Sequence, residues 1–483
     1  VNHTTVQRGA LVLALAILGA ASLAGCGPDA KDPRAAASSP SGSVTSPSGS
    51  ATAPAAGWAD GPAPVPGQPE RVTLTGLPGV ADEQARLGDW LSLSSARPTG
   101  LYLPPGQALH VDASVTGGRA KVVVGAPDTD PAAAESREHE VPGGNSDITD
   151  TTGGMVYLSF DGTPADTATI TLTGATPVPF FQLGHTTAEQ WRTMLAQRTT
   201  PYAELVGPHT VMTVTREAAI ANQAVDQAAA LRKIEHVLAV EDKTAGLVDQ
   251  TSPGAPGTDD RSPLAFHYVE TRTLTAKEKE SVYAYATDTR IGFPTNVVGD
   301  ILNPDKDHGW SVWHESGHPH QQSAITPESL AEVTVNIYSL AVQRDAGQPS
   351  RLIDPKTEEN ADGTDYFTRT IAKLGRPGLD FTKDFDDFDR LVMFEQLRLA
   401  YGDDLWSKVT HLVRTEKPTT TDDTPDDVKS RNLVLYVSKA THHDLTGFFA
   451  TWGFPVDTQT RAAVARLNFP KPTVDPSTLR DRA

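Results

Sequence analysis

The five residues His314-Glu315-Ser316-Gly317-His318 constrain this chain more tightly than any other stretch. Positions i and i+4 fall on one side of a helix, so a helical segment brings the two imidazoles together. Two neutral imidazoles so placed can grip one Zn2+, and Glu315 between them faces the same cavity, close enough to polarise a metal-bound water. That is the chemistry of a zinc metallopeptidase centre. Catalytic zinc also needs a third protein ligand and a position left open for solvent.

Two glutamates compete for the third place. Glu328 follows Thr326-Pro327, which read as an N-cap and first helical position, and a carboxylate there suits the positive end of the helix dipole. Glu332 lies one turn further on, with Asn336 four residues later on the same face. A ligand carboxylate with a polar side chain beneath it matches how metal ligands are held by outer hydrogen bonds, so Glu332 is preferred. The expected set is His314, His318 and Glu332 on one catalytic zinc ion, Asn336 supporting them, and Glu315 as general base.

The surroundings carry further expectations. Pro319 directly follows the second histidine and should end or kink the motif helix. Gly317 lets substrate or backbone approach closely. His320 reads as an exposed histidine past the helix end. Trp310 can stack on a sugar ring or pack in the core. Tyr338, His442 and His443 are each candidate oxyanion donors, and spacing alone does not choose among them.

A chain of 483 residues, 38% of them hydrophobic, can form two to four domains with real cores. A net charge of −19 argues against nucleic acid and against an electrostatic grip on anionic lipid. Arg8 followed by the apolar run from Ala10 to Gly25 reads as a secretory signal, too short for a membrane span. It closes as Leu23-Ala24-Gly25-Cys26, which resembles the lipobox of bacterial lipoproteins and implies lipidation at Cys26. Cys26 is the only cysteine, so the fold rests on packing and, locally, on metal.

Residues 1–25 are thus expected as a leader, and 26–70, rich in Ser, Pro, Ala and Gly, as a flexible tether. Residues 71–177 read as a β-sandwich-like domain, with strands at Leu101–Leu103, Ala108–Ala113, Lys121–Val124, Met155–Phe160 and Ala168–Leu172. Residues 178–470 read as a mainly helical domain, and 471–483 as a C-terminal tail. Its helices are expected over residues 217–240, at the motif, over 327–344, and over 388–401, 426–440 and 445–452. The fold class is α+β.

Taken together these residues resemble a known family. Trp313 to His318, then Gln321, then Glu332-Val333-Thr334-Val335-Asn336 resembles the HExGH helix and downstream glutamate of the M60-like (enhancin and mucin-degrading) gluzincin peptidases. Gly100 to Gly106 is similar to the entry strand of that family's N-terminal β-domain. Tyr285-Ala286-Thr287 with Gly292-Phe293, Phe394 to Arg398, and Phe448 to Phe454 resemble its other blocks. The resemblance implies an extracellular zinc endopeptidase that cleaves glycoproteins, mucin-type O-glycosylated polypeptides among them. With the lipobox, it places the enzyme on the outer face of a bacterial cytoplasmic membrane, reaching the membrane only through its lipid. The alternative is a surface glycan- or protein-binding lipoprotein with a non-catalytic zinc, which the intact Glu315 disfavours.

Overall fold

The computed structural model describes residues 13–14, 63–125, 135–250, 254–274, 282–304, 309–354, 363–421 and 423–481. Cys26 lies outside them, as do most of the expected leader and tether.

The N-terminal half is a β-sandwich. One sheet runs, in spatial order, Thr176–Pro177, Arg97–Leu103, Gly154–Asp161, Arg119–Val124 and Arg137–Val141. The other runs Glu70–Thr75, Thr167–Thr173, Ala108–Thr116 and Gly144–Thr149. Every neighbouring pair is antiparallel. Along Ala108–Thr116 the residues Leu109, Val111 and Ala113 are buried while His110 and Asp112 are exposed. The inner face meets Val122, Val124, Leu158 and Phe160 from the opposite sheet in one core. All five expected strands are present. Arg137–Val141 and Gly144–Thr149 escaped sequence reasoning because they are polar strands at the sheet edges, with few buried positions to mark them.

The strand Gly154–Asp161 is buried on both faces and joins the two halves of the molecule. Val156, Leu158 and Phe160 face the sandwich core, whereas Met155 and Tyr157 pack on Phe180, Tyr202 and Val206 of a third sheet. That sheet is mixed and ordered Leu13–Ala14, Tyr285–Thr287, Arg290–Pro294, Phe266–Thr271, Thr210–Thr215, Tyr202–Val206, Phe180–Gln182. Helical periodicity past Pro177 gave no warning of it. Thr210–Thr215 and Phe266–Thr271 are buried at every position, and strands covered on both faces show no alternation.

Helices make up the rest. The single helix expected over 217–240 is two, Arg216–Ala221 and Gln227–Thr244. The second starts where the Asp226 carboxylate accepts from the Ala229 N–H at 3.0 Å. Asp387–Tyr401, Leu405–Glu416, Asp426–Thr441 and Thr446–Thr451 form the C-terminal bundle around Phe394, Trp406, Val437 and Trp452. Residues expected as a tail dock on this bundle: the Gln396 amide donates to the carbonyls of Ser477 and Leu479 at 2.8 and 2.9 Å. Among the described residues no helix is long and apolar enough to cross a membrane.

Candidate metal centre

The motif helix, Trp310–Gly317, lies between the mixed sheet and the bundle. Val312 and Trp313 anchor it in the sheet-side core, and Ser316 Oγ pairs with the hydroxyl of Tyr268 at 2.6 Å. Gly317 permits a tight crossing. A Cβ there would sit 3.0 Å from Val335 Cγ2, 3.2 Å from the Val335 carbonyl oxygen and 3.3 Å from Tyr338 Cβ. Pro319 acts as expected: the α-helix stops at Gly317, and His318–His320 tighten into a 3-10 turn. His318 keeps helical dihedrals, so both imidazoles remain together, with ring centroids 4.8 Å apart and planes at 86°.

Glu332 comes to meet them. It lies on the short helix Ala331–Thr334, and Asn336–Asp345 continues past Val335, which itself has helical dihedrals. One donor atom from each of His314, His318 and Glu332 lies within 4.8 Å of the others. Nε2 of His314 is 2.9 Å, and Nε2 of His318 3.8 Å, from the same Glu332 oxygen. The opposite ring nitrogens point outward: His314 Nδ1 donates to Asn336 Oδ1 at 2.9 Å and His318 Nδ1 to Gln321 Oε1 at 2.8 Å. Both inner nitrogens therefore face the Glu332 carboxylate, to which Nε2 of His314 donates when its ring is protonated; with each Nδ1 committed to a carboxamide oxygen, Nε2 is the nitrogen left for a metal. Asn336 supports the ring of His314 and the backbone carbonyl of Glu332 (2.8 Å), not the Glu332 carboxylate as expected. Glu328 is elsewhere; its N–H donates to Asp426, which caps that turn.

Electrostatics mark the same spot. Glu315 is 1% exposed, and neither carboxylate oxygen has a hydrogen-bond partner. Burial pushes this carboxyl up to about 8; the charge of His314 opposes the shift and that of Glu332 adds to it. Burial also drives His318 down to about 4, helped by the charge of His314. At Glu332 burial acts upward, but the His314 hydrogen bond and the two imidazole charges outweigh it and lower the carboxyl. Two imidazole nitrogens and a carboxylate, beside a second buried acid lacking any protein partner, fit a divalent cation with a place left for solvent.

The remaining candidates have other work. His320 is 4% exposed, which corrects the expectation of an exposed residue. Its Nδ1 donates to the Ser316 carbonyl at 3.0 Å, its Nε2 meets Asp242 Oδ1 at 3.1 Å, and its ring stacks on Phe266. Tyr338 donates its hydroxyl to the His320 carbonyl at 2.8 Å. His442 ends the helix Asp426–Thr441 with its ring edge-on to Phe469, and His443 Nδ1 donates to the Thr441 carbonyl. Trp310 is half-buried against Trp313 and Phe388, with the Arg351 guanidinium 4.9 Å above its ring. Arg351 and Tyr268 went unnoticed in the sequence, since each sits on a separate element with no spacing relation to the motif.

A β-sandwich joined to a mixed α/β domain carries two motif histidines and a distant glutamate whose donor atoms lie within 4.8 Å of one another, the donor set of a metallopeptidase-type centre. The same architecture recurs in solved structures. The chain belongs to the family described as peptidase M60, enhancin and enhancin-like, whose model matches residues 174–453. Residues 79–173 match the N-terminal domain of M60-like peptidases. A functionally unknown conserved protein from Bacillus anthracis superposes with a TM-score of 0.74 at 27% identity, covering 86% of this chain and 82% of that one. The catalytic module of the metalloprotease ZmpA from Clostridium perfringens shares the fold at TM-score 0.67 and 20% identity, over 84% and 80% of the two chains. A metallopeptidase solved in complex with Tn antigen does so at TM-score 0.69 and 20% identity, over 86% and 80%. Mouse TRPM8 channel-associated factor 3 is 24% identical over 395 residues, which is 76% of this chain and 39% of that protein. The chain therefore spans about two fifths of that relative.

Proposed function

We propose that this protein is a zinc endopeptidase that cleaves O-glycosylated, mucin-type proteins, tethered by lipidated Cys26 to the outer face of a bacterial cytoplasmic membrane. The observation that carries the catalytic reading is the fully buried, unpartnered carboxylate of Glu315 beside the converging donors of His314, His318 and Glu332. A purely structural metal site has no use for such an acid.

In this reading His314, His318 and Glu332 hold the ion, and Asn336 and Gln321 keep the imidazoles aimed at it. Zinc, when bound, supplies a Lewis acid that polarises a carbonyl and acidifies water. Glu315 takes a proton from the attacking water and passes it to the leaving amine. Beside a bound divalent cation the Glu315 carboxyl would be held in the ionised form that a base requires. Burial of the cluster keeps bulk water away from these charges and strengthens them.

The glycoprotein part of the proposal draws on similarity to the metallopeptidase solved with Tn antigen. The anchor draws on the lipobox-like Leu23 to Cys26. Incubation of wild type and Glu315→Ala with an O-glycosylated mucin and its deglycosylated form, with and without chelator, tests all but the anchor. New termini only with wild type, metal and glycan are expected; equal cutting of both substrates would remove the glycan requirement.

A second reading, a glycan- or protein-binding protein with a non-catalytic metal, is favoured by the relatives named as channel-associated factors. Stoichiometric zinc without cleavage of either substrate would support it.

A further inference from the structure

We propose that Gln321 is a positioning residue that locks His318 and the Glu332 turn into one unit, and so sets the affinity of the centre for zinc. The inference rests on the metal reading above.

The geometry is specific. Gln321 is 2% exposed and stands where the chain leaves the 3-10 turn in an extended conformation. Its Oε1 accepts from His318 Nδ1 at 2.8 Å. Its Nε2 donates to the Ala331 carbonyl and to Thr334 Oγ1, each at 2.7 Å, and the Thr334 hydroxyl in turn donates to the Leu330 carbonyl at 3.1 Å. Both hydrogens and the oxygen of one buried amide are thus committed, half to a candidate ligand and half to the turn that carries another. A fully satisfied network of this kind in a low-dielectric site is rigid, and a partly satisfied one is costly.

Asn336 makes the corresponding link on the other side, from His314 to the Glu332 carbonyl. The two amides are not equivalent. Asn336 shares a helical run with Glu332, so its carbonyl bond is local. Gln321 belongs to the motif segment and spans to the turn from outside. Without it the outer nitrogen of the His318 ring would lose its acceptor, and the orientation that aims Nε2 at the Glu332 carboxylate would lose that hold.

Zinc affinity, read by competition with a chromogenic chelator, separates positioning from packing. Gln321→Met preserves length and burial but removes every side-chain hydrogen bond, whereas Gln321→Glu keeps the acceptor for His318. We expect Gln321→Met to lose about 10–100-fold in zinc affinity, the range for outer partners of metal-bound histidine, and Gln321→Glu, which keeps the acceptor for His318 but loses both donors to the turn, to recover only part of it. Thr334→Val, which removes one of the two bonds at the turn end of the link, should weaken zinc binding several-fold and provides a readout if Gln321→Met does not fold. Nitrogen-15 spectra of the metal-free protein should show the Nδ1–H tautomer of His318 in wild type and its loss in Gln321→Met. Wild type that binds no zinc would sink the metal reading itself. Wild type that binds zinc, with Gln321→Met or Thr334→Val within twofold of it, would overturn the role of Gln321 alone.

Discussion

The hydroxyl of Tyr157, on the central strand of the sandwich, meets Thr213 Oγ1 of the mixed sheet at 2.8 Å, with both side chains buried. Thr213 in turn contacts Glu204 Oε1 at 3.2 Å and His267 Nε2 at 2.9 Å. The junction between the two halves of the molecule is therefore a buried polar cluster.

This cluster makes stability depend on pH in a definite direction. Burial pushes the Glu204 carboxyl from 4.5 up to about 8, against the hydrogen bonds of Tyr157, Thr213 and Gly100. The folded state then holds a proton that the unfolded chain has released, so stability from this group is full below pH 4.5 and falls as pH rises to about 8. The slope is at most about 1.4 kcal/mol per pH unit. Burial drives His267 the other way, from 6.5 to about 3, so its contribution is lost as pH falls through that window. Denaturant melts across pH should show Glu204→Gln flattening the alkaline decline while leaving the acid limb in place.

Gly317→Ala tests the helix crossing. Intrinsic propensity alone favours alanine by about 1 kcal/mol. The new Cβ, 3.0 Å from Val335 Cγ2 and 3.2 Å from the Val335 carbonyl oxygen, opposes that gain, because a backbone carbonyl gives way less readily than a side-chain tip. A net loss of about 1–3 kcal/mol is expected from overpacking, with reduced zinc affinity because His318 is the next residue. Thermal unfolding and zinc titration read both effects.

His320→Phe retains the stack on Phe266 but strips Asp242 of one buried partner and leaves it to Arg261. Losing one hydrogen bond to a buried carboxylate that keeps its other partner costs about 1.5–3 kcal/mol. Chemical denaturation of the metal-free variant should show a loss of that order, since this contact acts before any metal is bound.

Metal linkage discriminates the two glutamates. Zinc at about 1,000 times its dissociation constant should stabilise the fold by about 4 kcal/mol. Glu332→Gln should lose most of the melting-temperature shift on adding zinc or chelator. Glu328→Gln should keep it, because that residue belongs to the turn capped by Asp426.

What sequence could reveal here follows from periodicity and proximity. Leu109, Val111 and Ala113 alternate with exposed residues, so their strand was legible; Thr210–Thr215, buried throughout, was not. His314, Glu315 and His318 share one helical turn, and Glu332 shares a face with Asn336, so local geometry brought out these candidates. The burial of His320 was hidden because its partners Asp242 and Phe266 come from a distant helix and strand. Arg351 over Trp310 was hidden for the same reason. Contacts between elements far apart in the chain leave no spacing signal.

The most direct test is Glu315→Gln, assayed for bound zinc and for cleavage of O-glycosylated mucin in the same preparation. The account predicts one zinc per chain, as in wild type, with turnover lost by at least about 100-fold, the scale of a general acid–base contribution. Undiminished cleavage by a zinc-loaded Glu315→Gln protein would contradict it.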